Sequence, residues 1–198
     1  IPSTLLDNKT FSMFADTPKY RRKILDRCLM ASDKDYSKDF FSFHRSLKQR
    51  NAALKFKRLT NIDMWSEIFI NSGTLISQKR NNFFDETKQI FFMFAKNLND
   101  KRVLEIINSL EILFHKGWAN EHSLKEALEL NRDSDQRKTS TTSGPHRADI
   151  KFLINDSDIK YILSRGEQKF MSILWCLSMH KTLSDVYGVK PFLIIDDI

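Results

Sequence analysis

Between residues 17 and 95 the chain has Pro18 as its one proline and Gly73 as its one glycine, so only short polar joints interrupt a run of helices. Thr17 ahead of Pro18 is a start signal: the hydroxyl can accept a free amide, and proline at the first helical position sacrifices no intrahelical bond. Tyr20, Ile24, Leu25 and Cys28 then form one apolar face. A second helix places Tyr36, Phe40, Phe43, Leu47 and Leu54 on one stripe, with Lys38, Arg45, Lys48 and Lys55 opposite. The third, from about Asp63 to Lys96, repeats the pattern with Trp65, Phe69, Leu75, Ile76, Phe83, Phe84, Phe91 and Phe94, and is long enough to project as an arm. The period then changes. Leu110, Ile112 and Phe114 alternate with their neighbours up to the Lys116-Gly117-Trp118 break, which predicts a strand. Ser123 and Glu126 have the spacing of a capping box for a short helix ending near Asn131. A polar stretch, residues 131–144, follows. Asp149 to Ile154 and Ile159 to Leu163 read as a hairpin around residues 155–158. A helix from about Gly166 to Ser184 and a buried strand, Phe192 to Ile195, complete a mixed α/β chain without internal repeats.

The 198 residues amount to one domain, or one and part of a second, at about 150 residues per domain. With 41% apolar and 29% charged residues, 5 glycines and 4 prolines, the chain is neither collagen-like, low-complexity nor largely disordered. Its 32 basic residues against 25 acidic ones leave a net charge of +7, which suits a phosphate-rich partner such as nucleic acid. Cys28 and Cys176 stand far apart in apolar stretches and suggest neither a disulfide framework nor a zinc site, in keeping with a reducing cytoplasm. No apolar run reaches the roughly 18 residues of a membrane span, and the first residues lack the form of a signal peptide. Beginning at Ile1, the chain reads as a fragment.

Two features carry candidate chemistry. Phe192 to Ile195 run straight into Asp196 and Asp197, the form of a Walker B strand, in which the first carboxylate holds magnesium and the second orients or deprotonates a water. A core strand ending in a polar turn has the same look. Upstream, Leu163-Ser164-Arg165-Gly166-Glu167-Gln168-Lys169 stands before a helix, where a serine hydroxyl, free amides and a glycine can receive a phosphate. An ordinary capped helix would also show it. The order of the two features favours function.

With these residues the chain resembles the ATP-binding cassette ATPases and, more narrowly, the RecF family of DNA repair proteins. The likeness rests on Pro18 to Asp26 (PKYRRKILD), Leu47 to Lys55 (LKQRNAALK), Gly144 to Asp149 (GPHRAD), Leu163 to Lys169, and Phe192 to Ile198. The resemblance implies that Ser164, Arg165, Gly166, Glu167 and Gln168 form a signature closing over ATP held by the opposite subunit of an ATP-dependent homodimer. Arg165 stands where the family has its first signature glycine. Asp196 matches the magnesium-holding aspartate and Asp197 the catalytic base. The implied division is 1–17 as entry segment or part of the ATPase lobe, 18–135 as a mainly helical lobe, and 136–198 as the signature and Walker B part. The implied role is recognition of gapped or junction DNA, single- and double-stranded, in recombinational repair, replication and the SOS response, with RecR as partner and RecO and RecA downstream.

No GxxxxGK[ST] phosphate loop occurs in the chain. The resemblance therefore implies a weak ATPase in a longer parent and no hydrolysis by this piece alone. Basic residues crowd two helices, Lys19, Arg21, Arg22 and Lys23 on the first, and Lys48, Arg50, Lys55, Lys57 and Arg58 at the end of the second; either a DNA phosphate track or a solvated face fits them. The tentative DNA contacts are Lys19, Arg21, Arg22, Lys48 and Arg50. His146, in a Gly-Pro turn without a metal-ligand partner, reads as structural. The rival readings are a DNA-binding or adaptor module without enzymatic activity and another short-armed SMC-like ATPase, although no sustained heptad run is present.

Overall fold

A computed structural model describes residues 3–7, 13–14, 17–57 and 62–196. Helix α1 (Pro18–Ser32) begins at the expected proline. Asp33 then starts α2 (Lys34–Lys55), its carboxylate accepting the amides of Asp35 (2.8 Å) and Tyr36 (3.2 Å). Helix α3 (Ile62–Lys96) is followed by α4 (Lys101–Ser109), a helix the apolar pattern does not announce; Asp100 caps it by accepting from the amide of Val103. Strand β2 (Leu110–His115) and α5 (Leu124–Leu130) lie where expected, and the Ser123–Glu126 capping box is formed. The remaining elements are α6 (Arg132–Lys138), β3 (Asp149–Ile154), β4 (Ser157–Asp158), α7 (Arg165–Asp185) and β5 (Phe192–Ile195), with β1 (Ser3–Leu6) near the start of the chain. The class is mixed α/β, as expected.

Packing divides the chain into two units, each discontinuous in sequence: 1–32, 82–114 and 150–198 in the first, 33–81 and 115–149 in the second. Helix α1 and the second half of α3 belong with the signature segment in the first unit. Helix α3 is not a projecting arm. Phe69 and Ile76 are buried in the second unit, and Phe83, Phe84 and Phe91 in the first.

In the first unit, Trp175 of α7 gathers the core: Phe152 of β3 meets its ring edge-on at 5.0 Å, and Phe84 and Phe91 of α3 lie at 6.0 and 5.7 Å. Helix α7 also packs against β1 and α1. Strand β1 pairs in parallel with β5, Ser3 opposite Phe192 through Leu6 opposite Ile195. The expectation of a buried β5 is corrected: Phe192 is 62% exposed and Ile194 and Ile195 49%. The apolar run suits a strand covered on both faces, but β1 is its one strand neighbour among the described residues. A second sheet has the order β2-β3-β4. Its hairpin turns on Asn155 and Asp156, both at positive φ (49° and 62°), which these side chains tolerate. The turn is thus two residues tighter than expected. The second arm is cut to Ser157–Asp158 because Asp158 accepts from the amide of Lys160 and opens a 3-10 turn, Ile159–Tyr161, in place of a strand.

The second unit is held by buried polar groups. Arg50 of α2 is 3% exposed; it donates to Asp135 of α6 (2.7 Å), Thr141 (2.7 Å) and Ser66 (3.0 Å). Asp135 in turn accepts from the amide (2.8 Å) and hydroxyl (2.6 Å) of Thr142, and the side-chain oxygen of Asn51 accepts from the amide and hydroxyl of Thr141. Arg80, 2% exposed, donates to Tyr36 Oη (3.2 Å) and to the carbonyl of Pro145 (2.7 Å). This is why the polar stretch 131–144 folds: its first half is helix α6, closed by Thr139 at φ 51°, and its second half is bonded to α2. Gly117 (φ 103°) and Gly144 (φ 138°) meet where the Gly144 amide donates to the Gly117 carbonyl. A Cβ on Gly144 would lie 2.6 Å from the Phe69 ring, and one on Gly117 would strike the Gly144 carbonyl.

Arg50→Met leaves the Asp135 carboxylate buried without its cation, and the expected cost in urea unfolding is about 3–5 kcal/mol. Combined with Asp135→Leu the loss should be clearly smaller than the sum of the two single losses; additive losses would mean the pair does not act as a unit. Gly117→Ala should destabilise by several kcal/mol, on the order of 3, since a strained φ and a steric collision add, and a midpoint equal to wild type would contradict this turn geometry.

Candidate functional site

The signature segment is built by the end of the β3–β4 hairpin. The 3-10 turn carries the chain to Leu163, which is 5% exposed and anchors the segment in the first unit. Ser164 follows in extended conformation (φ −61°, ψ 160°) as the N-cap of α7. Its hydroxyl accepts the Glu167 amide at 3.3 Å, and Glu167 Oε2 accepts the Ser164 amide at 2.8 Å. This capping box satisfies the amides of Ser164 and Glu167 and leaves those of Arg165 and Gly166 in the first turn, where a helix offers no internal acceptor. A Cβ on Gly166 would meet nothing within 4 Å, and its backbone is not left-handed, so no local packing demands a glycine. The bare position keeps the positive end of α7 open to an anion.

Glu167 has a second partner. Its Oε1 accepts from Nε of Arg102, at the start of α4, at 2.7 Å, and this guanidinium, with the Ser164 amide second, holds the carboxyl below its ordinary range. Gln168 is engaged within the chain: its Nε2 donates to the carbonyls of Leu163 (2.8 Å) and Lys160 (3.1 Å), tying the 3-10 turn to the helix. Its side chain braces the segment. Arg165 is exposed beside Gly166.

Asp196 directly follows β5, and its amide donates to the carbonyl of Leu6 at 2.9 Å, extending the β1–β5 ladder by one bond. Its carboxylate faces solvent and takes no side-chain partner among the described residues. Asp197 lies outside the described residues. No hydrogen bond or ion pair among them joins Ser164–Gln168 to Asp196, although all belong to the first unit. A lone exposed carboxylate suits magnesium, which keeps several waters and takes one or two carboxylates together with phosphate oxygens. Among the described residues no cluster of three or more His, Cys, Asp or Glu makes an all-protein metal cage.

Of the basic residues, Lys19 and Lys48 are exposed, and Arg21 and Arg22 are half-buried. Arg21 Nη1 donates to the carbonyl of Met13 at 3.0 Å. Arg50 departs from the expected phosphate track: its guanidinium is buried and committed to Asp135, Thr141 and Ser66, so it is a structural cation. Arg58 lies outside the described residues. Lys19, Arg21 and Arg22 belong to the first unit and Lys48 to the second.

His146 is structural, with Nε2 against the Thr141 carbonyl at 2.9 Å and its ring 6.3 and 6.1 Å from those of Phe43 and Phe69. Cys28 and Cys176 line one cavity of about 380 Å³ between β1, α1 and α7. Burial pushes both thiols up to about 12, which keeps them protonated at neutral pH. Sequence reasoning missed Arg102: it lies 65 residues from Glu167, in a helix with no announced role. Among the described residues no helix is long and apolar enough to cross a membrane.

No protein-family profile matches the chain. Among curated proteins it is similar to the DNA replication and repair protein RecF of Pseudoalteromonas translucida, 33% identical over 203 residues, covering 100% of this chain and 54% of that protein. RecF of Coxiella burnetii (strain RSA 493 / Nine Mile phase I) is 29% identical over 201 residues, with 100% and 54% covered. Two solved structures of the recombination mediator protein RecF in the RecFOR pathway, RecF-ATP and RecF-ATPrS, superpose with TM-scores of 0.85 and 0.87 at 26% identity. They cover 98% and 100% of this chain and 54% and 55% of theirs. The chain thus spans about half the length of the relatives it matches. Sequence and backbone agree along essentially the whole length of this chain with one set of proteins, the RecF proteins.

Proposed function

We propose that this chain is the helical lobe and signature part of a longer RecF-type recombination-mediator ATPase. The observation that carries the proposal is the head of α7, where Ser164 and Glu167 cap each other while Arg165 and Gly166 leave amides and open space toward an incoming anion. In this reading the signature meets the γ-phosphate of ATP held by the opposite subunit, and two copies associate when ATP is present. The Ser164 hydroxyl and the Arg165 and Gly166 amides bind phosphate oxygens, with Arg165 adding a cation. Asp196 would hold magnesium through water, and the ion when bound offsets phosphate charge. Asp197 would orient the attacking water and take its proton. The absence of a phosphate loop from the sequence means that hydrolysis needs residues beyond these 198.

The net charge of +7 and the exposed Lys19 and Lys48, with Arg22 beside Lys19 on α1, support contact with DNA phosphates. Such contacts give affinity without sequence preference, as a reader of gaps or junctions requires. RecR as partner, with RecO and RecA downstream, belongs to the same proposal and is supported by the RecFOR pathway in which the similar structures stand.

In the full-length protein, Ser164→Arg should abolish ATP-induced dimers in light scattering while leaving the monomer folded; normal dimers would sink the signature assignment. Replacing Lys19 and Arg22 by Ala should weaken duplex binding and lower the slope of log affinity against log salt by about 1 for each phosphate no longer neutralised. A slope identical to wild type would remove α1 from the DNA surface.

A further inference from the structure

Among the described residues two capping boxes share one design, and they differ in one respect. In the second unit Ser123 and Glu126 cap α5, and Glu126 is held low by the backbone and side chain of Ser123. In the first unit Ser164 and Glu167 cap α7 in the same way, but Glu167 also receives Arg102 at 2.7 Å. Capping does not need this cation, as the α5 box demonstrates. Nor is the ion pair needed for packing, since the Arg102 side chain is 59% exposed.

Its value lies in charge. Glu167 puts a carboxylate in the first turn of the helix whose amides are proposed to receive a triphosphate. A carboxylate there stabilises the bare helix but repels an arriving polyanion. The Arg102 guanidinium covers the outer oxygen, Oε1, leaving Oε2 to the Ser164 amide. A second carboxylate, Glu105 Oε2 at 3.6 Å from Arg102 Nη1, holds the guanidinium from the α4 side. We infer that Arg102 is a positioning and charge-compensating residue for the signature: it fixes the Glu167 carboxylate in the capping geometry and cancels its charge, so that α7 accepts the phosphate of the opposite subunit's nucleotide. This rests on the signature reading above. It makes the placement of α4 a determinant of ATP-driven association.

The test is a titration of dimerisation with ATP and magnesium, followed by light scattering, in the full-length protein. Arg102→Gln should raise the ATP concentration for half-maximal dimerisation about tenfold, a typical coupling for groups in contact, with nucleotide binding by the monomer unchanged. Glu167→Gln keeps an acceptor for the Ser164 amide and removes the charge, and its own titration, whatever its midpoint, is the reference for the double variant. The decisive variant is Glu167→Gln combined with Arg102→Gln, which should match Glu167→Gln alone. A double variant clearly more impaired than Glu167→Gln alone would show that Arg102 does not act through Glu167 and would overturn the inference. So would an unaltered Arg102→Gln titration alongside a Ser164→Arg protein that no longer dimerises, in which case the signature reading stands alone. Normal dimers in Ser164→Arg would remove both.

Discussion

A buried guanidinium must find acceptors within the protein, and Arg50 finds them in the most polar part of the chain. That requirement organises the second unit. Asp135 is drawn inside because Arg50 is there, and with its other oxygen it takes the backbone amide and hydroxyl of Thr142. Asn51, the next residue of α2, holds Thr141. Arg80 fixes the Pro145 carbonyl a few residues on. A stretch with too few apolar residues to fold by burial is thus folded by three polar side chains of two helices. Two of the sequence stretches that carry the resemblance to the RecF family, LKQRNAALK and GPHRAD, belong to one structural device. The first supplies Arg50 and Asn51. The second carries the Gly144 turn and the Pro145 carbonyl that close it.

The first unit follows a different logic. Its core gathers aromatic rings around Trp175, and its candidate site residues lie at the surface, at the head of α7 and the end of β5. The capping box at Ser164 is the junction between structure and proposed function: the same hydroxyl and carboxylate that end the helix cleanly also decide which amides remain for an anion. Glu167 has two partners because it answers to both demands. Strand β5 is exposed along its length while its partner β1 packs on α7, and the Asp196 carboxylate is held where it is by a ladder of backbone bonds to β1.

Legibility in the sequence tracked the physical origin of each feature. Helices α1 to α3 and α7, strand β2, the Ser123–Glu126 capping box and the Ser164 cap were readable, because apolar spacing and the capping residues are local causes acting within a few residues. Helix α6 was not, since its stability comes from Asp135 meeting an arginine 85 residues away. The first arm of the hairpin was placed correctly, but the turn was read too wide and the second arm too late, as Asn155 and Asp156 tolerate left-handed backbone and need no further residues. Arg50 was misread for a general reason: a lysine or arginine on a helix is usually solvated, and the sequence carries no mark of the acceptors that bury this one.

By itself the sequence determined the class of fold, the long helices, the serine that caps α7, the aspartates after β5, and the absence of a phosphate loop, all of which are fixed by residue type at short range. Tertiary structure alone decided which charges are structural and which are free to act. It took Arg50 away from the surface, engaged the Gln168 amide nitrogen with the chain's own carbonyls, and brought Arg102 to Glu167. The reason is that an ionic group's role depends on its partners in space, and these partners lie 65 and 85 residues apart along the chain.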